Sequence, residues 1–255
     1  MRFATWNVNS LRARRELVAQ WLREQQPDIL CLQETKVKDA EFPEDLFAEV
    51  NYHVAHWGVS AWNGVALVTR EPVEQLGLGI VDDAEEARCI TGIVGGIRVF
   101  SVYVPNGRSL DDPHYVYKLE WLELLRQRVA EELQRGPVII AGDFNIAPTD
   151  ADVYDPAALE GATHVSEPER MALQRLLDLG LVDCGARQPS DEPSFTWWDY
   201  RQGAFRRGMG MRIDLVLASE SLQQRVRSVA VDRAARAATK PSDHAPLVVE
   251  FEDHD

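Results

Sequence analysis

Cysteine is scarce and scattered. Cys31, Cys89 and Cys184 lie far apart in apolar contexts, with no Cys-x-x-Cys pair and no Cys/His cluster. That pattern excludes a zinc ribbon and a disulfide framework, and leaves three reduced core thiols as the expectation. No apolar run approaches the length of a membrane span. The chain is strand-like from Met1-Arg2-Phe3-Ala4-Thr5, without the apolar core and small-residue cleavage site of a secretory leader. The expectation is a soluble, cytoplasmic protein with no membrane partner. A glycine-rich phosphate loop is missing, which speaks against a nucleoside-triphosphate site. Repeats, low-complexity tracts and linkers are absent as well. Residues 1–255 are therefore read as a single domain, with 45% apolar residues to build its core.

Positive charge is also short. The 41 acids against 27 bases give a net charge of −14, which at first sight argues against a nucleic-acid partner. Net charge is a poor guide here, because a metal-carboxylate site needs acids of its own and the bases cluster. Arg12, Arg14 and Arg15 form one group, for which a solvated helix face and a phosphate contact both stay open. Arg201, Arg206, Arg207 and Arg212 form another, set among aromatics and glycines that favour phosphate contact.

Short apolar runs rich in branched residues at 2–8, 28–32, 64–69, 90–94, 99–104, 138–141, 213–218 and 247–251 predict strands. Apolar spacing of three and four with charges opposite predicts amphipathic helices over 13–24, 113–134 and 167–179. Segments 111–113 and 188–193 read as loops, as does 202–210. The succession through 90–104 looks like an antiparallel hairpin. The class is α/β or α+β, with large sheets covered by helices, rather than a doubly wound nucleotide fold.

Acids, amides and one histidine stand at the ends of these runs. Val138-Ile139-Ile140-Ala141-Gly142-Asp143-Phe144-Asn145 is the sharpest unit. If extension continues, Asp143 and Asn145 project the same way, one to orient or deprotonate a water and the other to donate to an oxygen gaining charge. A Gly-Asp turn capped by Asn is the bland alternative. Ser242-Asp243-His244-Ala245-Pro246 places a histidine between a carboxylate and a strand entrance. Asp214, in Arg212-Ile213-Asp214-Leu215, interrupts an apolar strand, and a buried acid that orients a histidine relieves that cost. Glu34 follows Leu32-Gln33, and Asn7 follows Thr5-Trp6. Each has a structural reading as a turn or a strand end. A carboxylate with a few further oxygens is nevertheless how magnesium is held, and so many such strings in one chain argue against coincidence.

Together with Tyr103-Val104-Pro105-Asn106-Gly107, Phe195-Thr196-Trp197-Trp198-Asp199-Tyr200 and Gly210-Met211-Arg212-Ile213-Asp214, these strings resemble the exonuclease III family of apurinic/apyrimidinic endonucleases, within the endonuclease/exonuclease/phosphatase superfamily. The resemblance runs from Arg2 to about Phe251. It implies a four-layered sandwich of two mixed β-sheets packed face to face and flanked by helices. The implied reaction is magnesium-dependent attack of water on the phosphodiester 5′ to an abasic sugar, with manganese as an alternative ion. Exonuclease activity from 3′ ends and 3′-phosphatase activity on duplex DNA accompany it. Carried over by resemblance, Glu34 is the principal metal ligand, with Asn7 and Asp243 in the metal environment. Asp143 and Asn145 handle the water, His244 held by Asp214 contacts the phosphate, and Tyr103 contacts the phosphate or leaving oxygen. Trp197 and Met211 wall the sugar pocket, with Trp198 the buried neighbour. Asn106, Arg108, Arg206 and Arg207 are candidates for the DNA backbone.

Three positions depart from the pattern. Asn9 stands where some members carry a metal-binding Asp, Met211 where some have a large aromatic, and Ala162 near where some grip phosphate with Asn. The partner implied is double-stranded DNA with abasic sites or 3′ ends, bound by a monomer. The same superfamily site on another phosphate ester (a lipid headgroup, an inositol phosphate or RNA) is the alternative, and a DNA-binding scaffold without chemistry is a third reading.

Overall fold

The computed structural model describes residues 1–81, 85–186 and 194–252, so the loop expected at 188–193 lies outside the described residues. The chain runs β1 (Arg2–Asn7), α1 (Leu11–Gln25), β2 (Ile29–Gln33), α2 (Glu44–Ala48), β3 (His53–Trp57), β4 (Val65–Thr69) and β5 (Glu74–Leu78). It continues through β6 (Cys89–Val94), β7 (Ile97–Tyr103), α3 (Pro113–Leu133), β8 (Val138–Asp143), α4 (Glu167–Leu177), β9 (Leu181–Asp183) and β10 (Trp197–Trp198). Then come α5 (Ala204–Arg207), β11 (Gly210–Met211), β12 (Asp214–Ser219), α6 (Glu220–Gln223), β13 (Val226–Val231), α7 (Arg233–Ala237) and β14 (Leu247–Phe251).

Two six-stranded sheets form, ordered β13-β14-β1-β2-β4-β3 and β5-β6-β7-β8-β12-β9. Both are mixed. β1 and β2 pair in parallel, as do β7 and β8, while β6 and β7 make the antiparallel hairpin expected over 90–104. Alternation along each strand builds the layers. Phe3, Ile29, Cys31 and Leu67 face inward against Val99, Ile139, Ala141 and Val216 of the other sheet, closing the central core. Ala4, Trp6, Leu30 and Leu32 face outward, where Val18, Trp21 and Leu22 of α1 cover them. On the opposite outer face Phe100, Ile140, Leu215 and Leu217 pack under Trp121 and Leu125 of α3 and Leu173 and Leu176 of α4. Helix, sheet, sheet and helix therefore stack as four layers.

Expected and observed elements differ in two informative places. The segment 202–210 is not a plain loop, because Ala204–Arg207 makes a short helix closed by Gly208 at φ 69°. Arg212 is no phosphate contact either. It is buried, with Nε 2.7 Å from Asp152 Oδ1 and Nη1 2.7 Å from Asp183 Oδ2, so its charge is spent inside the protein. Cys31 and Cys89 are buried free thiols, whereas Cys184 is only partly buried. Among the described residues no helix is long and apolar enough to cross a membrane.

Candidate active site

Strand register gathers the site. Tyr103 pairs with Asp143 across the parallel β7–β8 ladder, and Asp143 pairs with Asp214 across the antiparallel β8–β12 ladder. Paired residues share a face, so all three side chains turn the way of Val99, Ala141 and Val216, into the space between the sheets. In the other sheet Asn7 follows Phe3 and Thr5 at a spacing of two and faces the same gap. The gap ends here in polar groups instead of core. Glu34 follows β2, and His244 precedes β14.

Gly142 lets β8 lie close against β7 within one sheet. It sits at φ 152°, and a Cβ there would lie 1.9 Å from the Val102 carbonyl oxygen. Beyond Asp143 the strand does not stay extended, because Asn145 takes a left-handed φ of 51°. Its side chain is aimed by a turn rather than by strand alternation, with the Asn145 amide donating to Asp143 Oδ1 at 2.9 Å. Asn9, Ser10, Glu34 and Lys36 are left-handed as well, so strained backbone collects around the same end of the sandwich.

The charged centre is compact. His244 Nδ1 is 2.8 Å from Asp214 Oδ2, and its Nε2 is 3.7 Å from Asp143 Oδ2. Burial alone lowers the pKa of His244, but Asp214 and Asp143 outweigh it and raise the ring to about 10. Burial raises Asp143 to about 7, with Asp214 and Glu34 adding to the push and His244 opposing it. Tyr103 is held well above its usual value by burial and by the charges of Glu34 and Asp143, so its hydroxyl keeps its proton. Asn7 Nδ2 donates to Glu34 Oε1 at 2.8 Å and to Asp143 Oδ2 at 2.9 Å, tying the two acids across the sheets.

Glu34, Asp143 and His244 each bring a ligand atom within 4.8 Å of one another. The two carboxylates suit a hard divalent cation. His244 commits Nδ1 to Asp214, and its raised pKa favours the role of a charge partner over that of a ligand. Asn7 turns its amide nitrogen to the acids while its oxygen accepts from the Asn9 amide at 3.0 Å, so here it braces the carboxylates. Asp243 stands to one side. Its Oδ1 accepts from Asn9 Nδ2 at 2.9 Å and its Oδ2 from Trp197 Nε1 at 3.1 Å.

Beside this centre lies a cavity of about 480 Å³ whose lining includes Trp197, Met211, Ala162, His164 and Arg108. Trp198 points the other way and is fully buried. Asn106 Nδ2 donates to Asn145 Oδ1 at 3.2 Å, which puts it at the join between cavity and centre. Arg206 and Arg207 are exposed on α5 and are not part of the cavity lining. In the first arginine group Arg12 and Arg15 pair with Glu41 and Asp45 at the surface. Arg14 reaches inward to the Asn9 carbonyl at 2.7 Å and the Tyr200 hydroxyl at 2.6 Å.

Sequence reasoning missed several supporting groups. Lys36 Nζ lies 2.9 Å from Glu34 Oε2 and donates to Asn9 Oδ1 at 2.6 Å; its signal was its place in Gln33-Glu34-Thr35-Lys36. Lys118 Nζ donates to the Asn145 carbonyl at 2.7 Å and pairs with Glu169, and His164 Nδ1 lies 2.6 Å from the same carbonyl. A lysine standing in the apolar stripe of α3 with Tyr115, Leu122, Leu125 and Val129 was the legible sign. Arg88 lays its guanidinium over the Tyr103 ring at 4.9 Å, a contact with no sequence signal.

The chain matches the Endonuclease/Exonuclease/phosphatase family over residues 4–244. It is 35% identical to an exodeoxyribonuclease of Bacillus subtilis (strain 168), over 97% of this chain and 98% of that protein. Its fold superposes on an AP endonuclease from Archaeoglobus fulgidus with a TM-score of 0.95 and 40% identity, covering 99% of this chain and 100% of the other. A 3′-phosphatase from Neisseria bound to a product DNA hairpin gives the same TM-score of 0.95 at 40% identity, with 99% of each chain covered.

Proposed function

Because the chain belongs to the endonuclease/exonuclease/phosphatase family, we propose that it is a DNA-repair nuclease that hydrolyses the phosphodiester 5′ to an abasic sugar and removes nucleotides or phosphate from 3′ ends. One observation carries this reading: a histidine held by a buried acid, a second buried carboxylate and a metal-competent acid meet at the edge of a partly apolar cavity. An abasic sugar turned out of the helix is small and largely apolar on its faces. Apolar walls such as Trp197 and Met211 suit those faces.

Each residue then has a task. Asp143, its pKa lifted to about 7, orients the attacking water and takes its proton. His244, kept cationic by Asp214, donates to a phosphate oxygen as charge builds there, and Asn145 adds a neutral donor. Tyr103 keeps its proton and donates to the phosphate or to the leaving 3′ oxygen. A magnesium or manganese ion held on Glu34 supplies charge neutralisation at the phosphate when bound. Asn7 fixes Glu34 against Asp143, and Asp243 ties Asn9 to the cavity wall at Trp197. Arg108 at the cavity, with Arg206 and Arg207 on α5, meets the DNA backbone.

The test is a labelled duplex with one abasic-site analogue, beside an intact duplex with a recessed 3′ end, in magnesium and in chelator. The expected products are incision 5′ to the lesion with a 3′-hydroxyl and shortening of the recessed strand. Both are lost in chelator and restored by magnesium. Cleavage of a generic phosphodiester with neither DNA cut would overturn the substrate; full activity in chelator would overturn the cofactor.

A further inference from the structure

Trp62 is out of place on this surface. It is 82% exposed, whereas Trp6, Trp21, Trp57, Trp121 and Trp198 are buried. A large aromatic left in water forgoes its burial, so a held, exposed indole signals a partner. The turn that carries it, residues 58–64, is pinned. Asn63 is buried and its carbonyl accepts from the Lys36 amide at 2.8 Å, the Gly64 carbonyl accepts from the Thr35 amide at 3.1 Å, and Ser60 Oγ accepts from the Trp62 amide at 3.2 Å.

Those bonds join the turn to the two residues after Glu34. The sheet order sets the direction. His244, Asn7, Glu34 and the 58–64 turn follow one another across the ends of β14, β1, β2 and the β4–β3 connection. Trp62 therefore stands on the far side of Glu34 from Trp197 and the cavity. A phosphate at the acidic centre would have the cavity on one side and this indole on the other.

We propose that Trp62 is a stacking platform for an unpaired DNA base next to the scissile phosphate, an inference that rests on the nuclease reading above. Bases inside a duplex already cover each other's faces, so a free-standing indole finds an open π-face only where pairing has ended, as at the overhang opposite a recessed 3′ end. The charge balance points the same way. A chain of net charge −14 draws little affinity from a general basic field, and stacking is the contact that adds binding without added charge.

The experiment measures binding of the full chain, in chelator so that nothing is cut, to a labelled duplex with a recessed 3′ end and to a blunt, fully paired duplex of the same length. Trp62→Ala is expected to weaken binding to the recessed-end duplex about tenfold. It should weaken blunt-duplex binding far less, and Trp62→Phe should recover most of the loss. Melting temperatures of both variants should match the parent, since the side chain touches little of the protein. Equal loss on both duplexes, or no loss on either, would overturn the assignment while the nuclease reading stands. A parent protein that binds neither duplex would overturn that reading and this inference together.

Discussion

His244 owes its charge to its neighbours. An isolated buried ring would be neutral, and Asp214 and Asp143 reverse that outcome. The sign for catalysis follows directly: a ring with a raised pKa stays protonated through neutral pH and loses its proton only as pH climbs through the raised value. Replacing Asp214 with Asn removes the largest supporting charge, so the alkaline limb of the pH profile of kcat/KM should move to lower pH. A limb that stays in place would mean that some other group titrates there. Asp143→Asn and His244→Ala should each cut turnover by about a hundredfold or more. Single-turnover assays with melting curves alongside check it, and near-parental rates in a folded variant would remove the residue from the mechanism.

At the scale of elements, α3 and α4 do more than cover a sheet. Lys118 of α3 and Glu169 of α4 are fully buried and paired, and Lys118 also donates to the Asn145 carbonyl. Glu169 accepts in addition from Thr163 Oγ1, the His164 amide and Ser166 Oγ, so one carboxylate both caps α4 and shapes the segment beside the cavity. Lys118→Met leaves that carboxylate buried without its cation and should cost about 3–5 kcal/mol of stability. Lys118→Met with Glu169→Gln should recover much of the loss, as read by denaturant unfolding. A double variant no more stable than the single would mean that Lys118 acts through its other contacts.

Strands divide sharply by place in the sheet. Runs read as strands from their apolar content became β14, β1, β2, β4, β6, β7, β8 and β12, the inner members of the two sheets. Within those two sheets the unread β13, β3, β5 and β9 are the four edges, and the short β10 and β11, also unread, pair only with each other. An inner strand is covered on both faces by the layered packing and must be apolar, whereas an edge such as Glu74–Leu78 is mostly exposed and carries no such run.

For the whole molecule, the charge balance bears on how DNA is held. Arg212 is consumed by Asp152 and Asp183, and Arg201 at the cavity mouth is paired with Asp199. On the proposed reading Arg206 and Arg207, with Arg108 in a loose exposed pair with Asp112 at 3.8 Å, are the bases offered to the backbone. About three phosphate contacts give a slope near −3 for log affinity against log salt. A titration across salt concentrations checks this, and a slope steeper than about −6 would reveal a basic footprint larger than these residues supply.

The sequence by itself determined the chemistry available and the rigid frame. Glu34, Asp143 and His244 stand at the ends of apolar runs because an acid or an imidazole inside such a run would be buried without compensation, and Asp214, which does interrupt one, has His244 as its partner. Only the tertiary structure decided which of them meet. Register across β7, β8 and β12 set Tyr103, Asp143 and Asp214 on one face, and sheet-on-sheet packing brought Asn7 and Glu34 opposite them. It also turned Trp197 to the cavity and Trp198 to the core, sent Arg212 inward, and set Lys118 behind Asn145. Those outcomes depend on contacts between residues far apart in the chain, and local pattern carries no record of which distant partner a side chain will face.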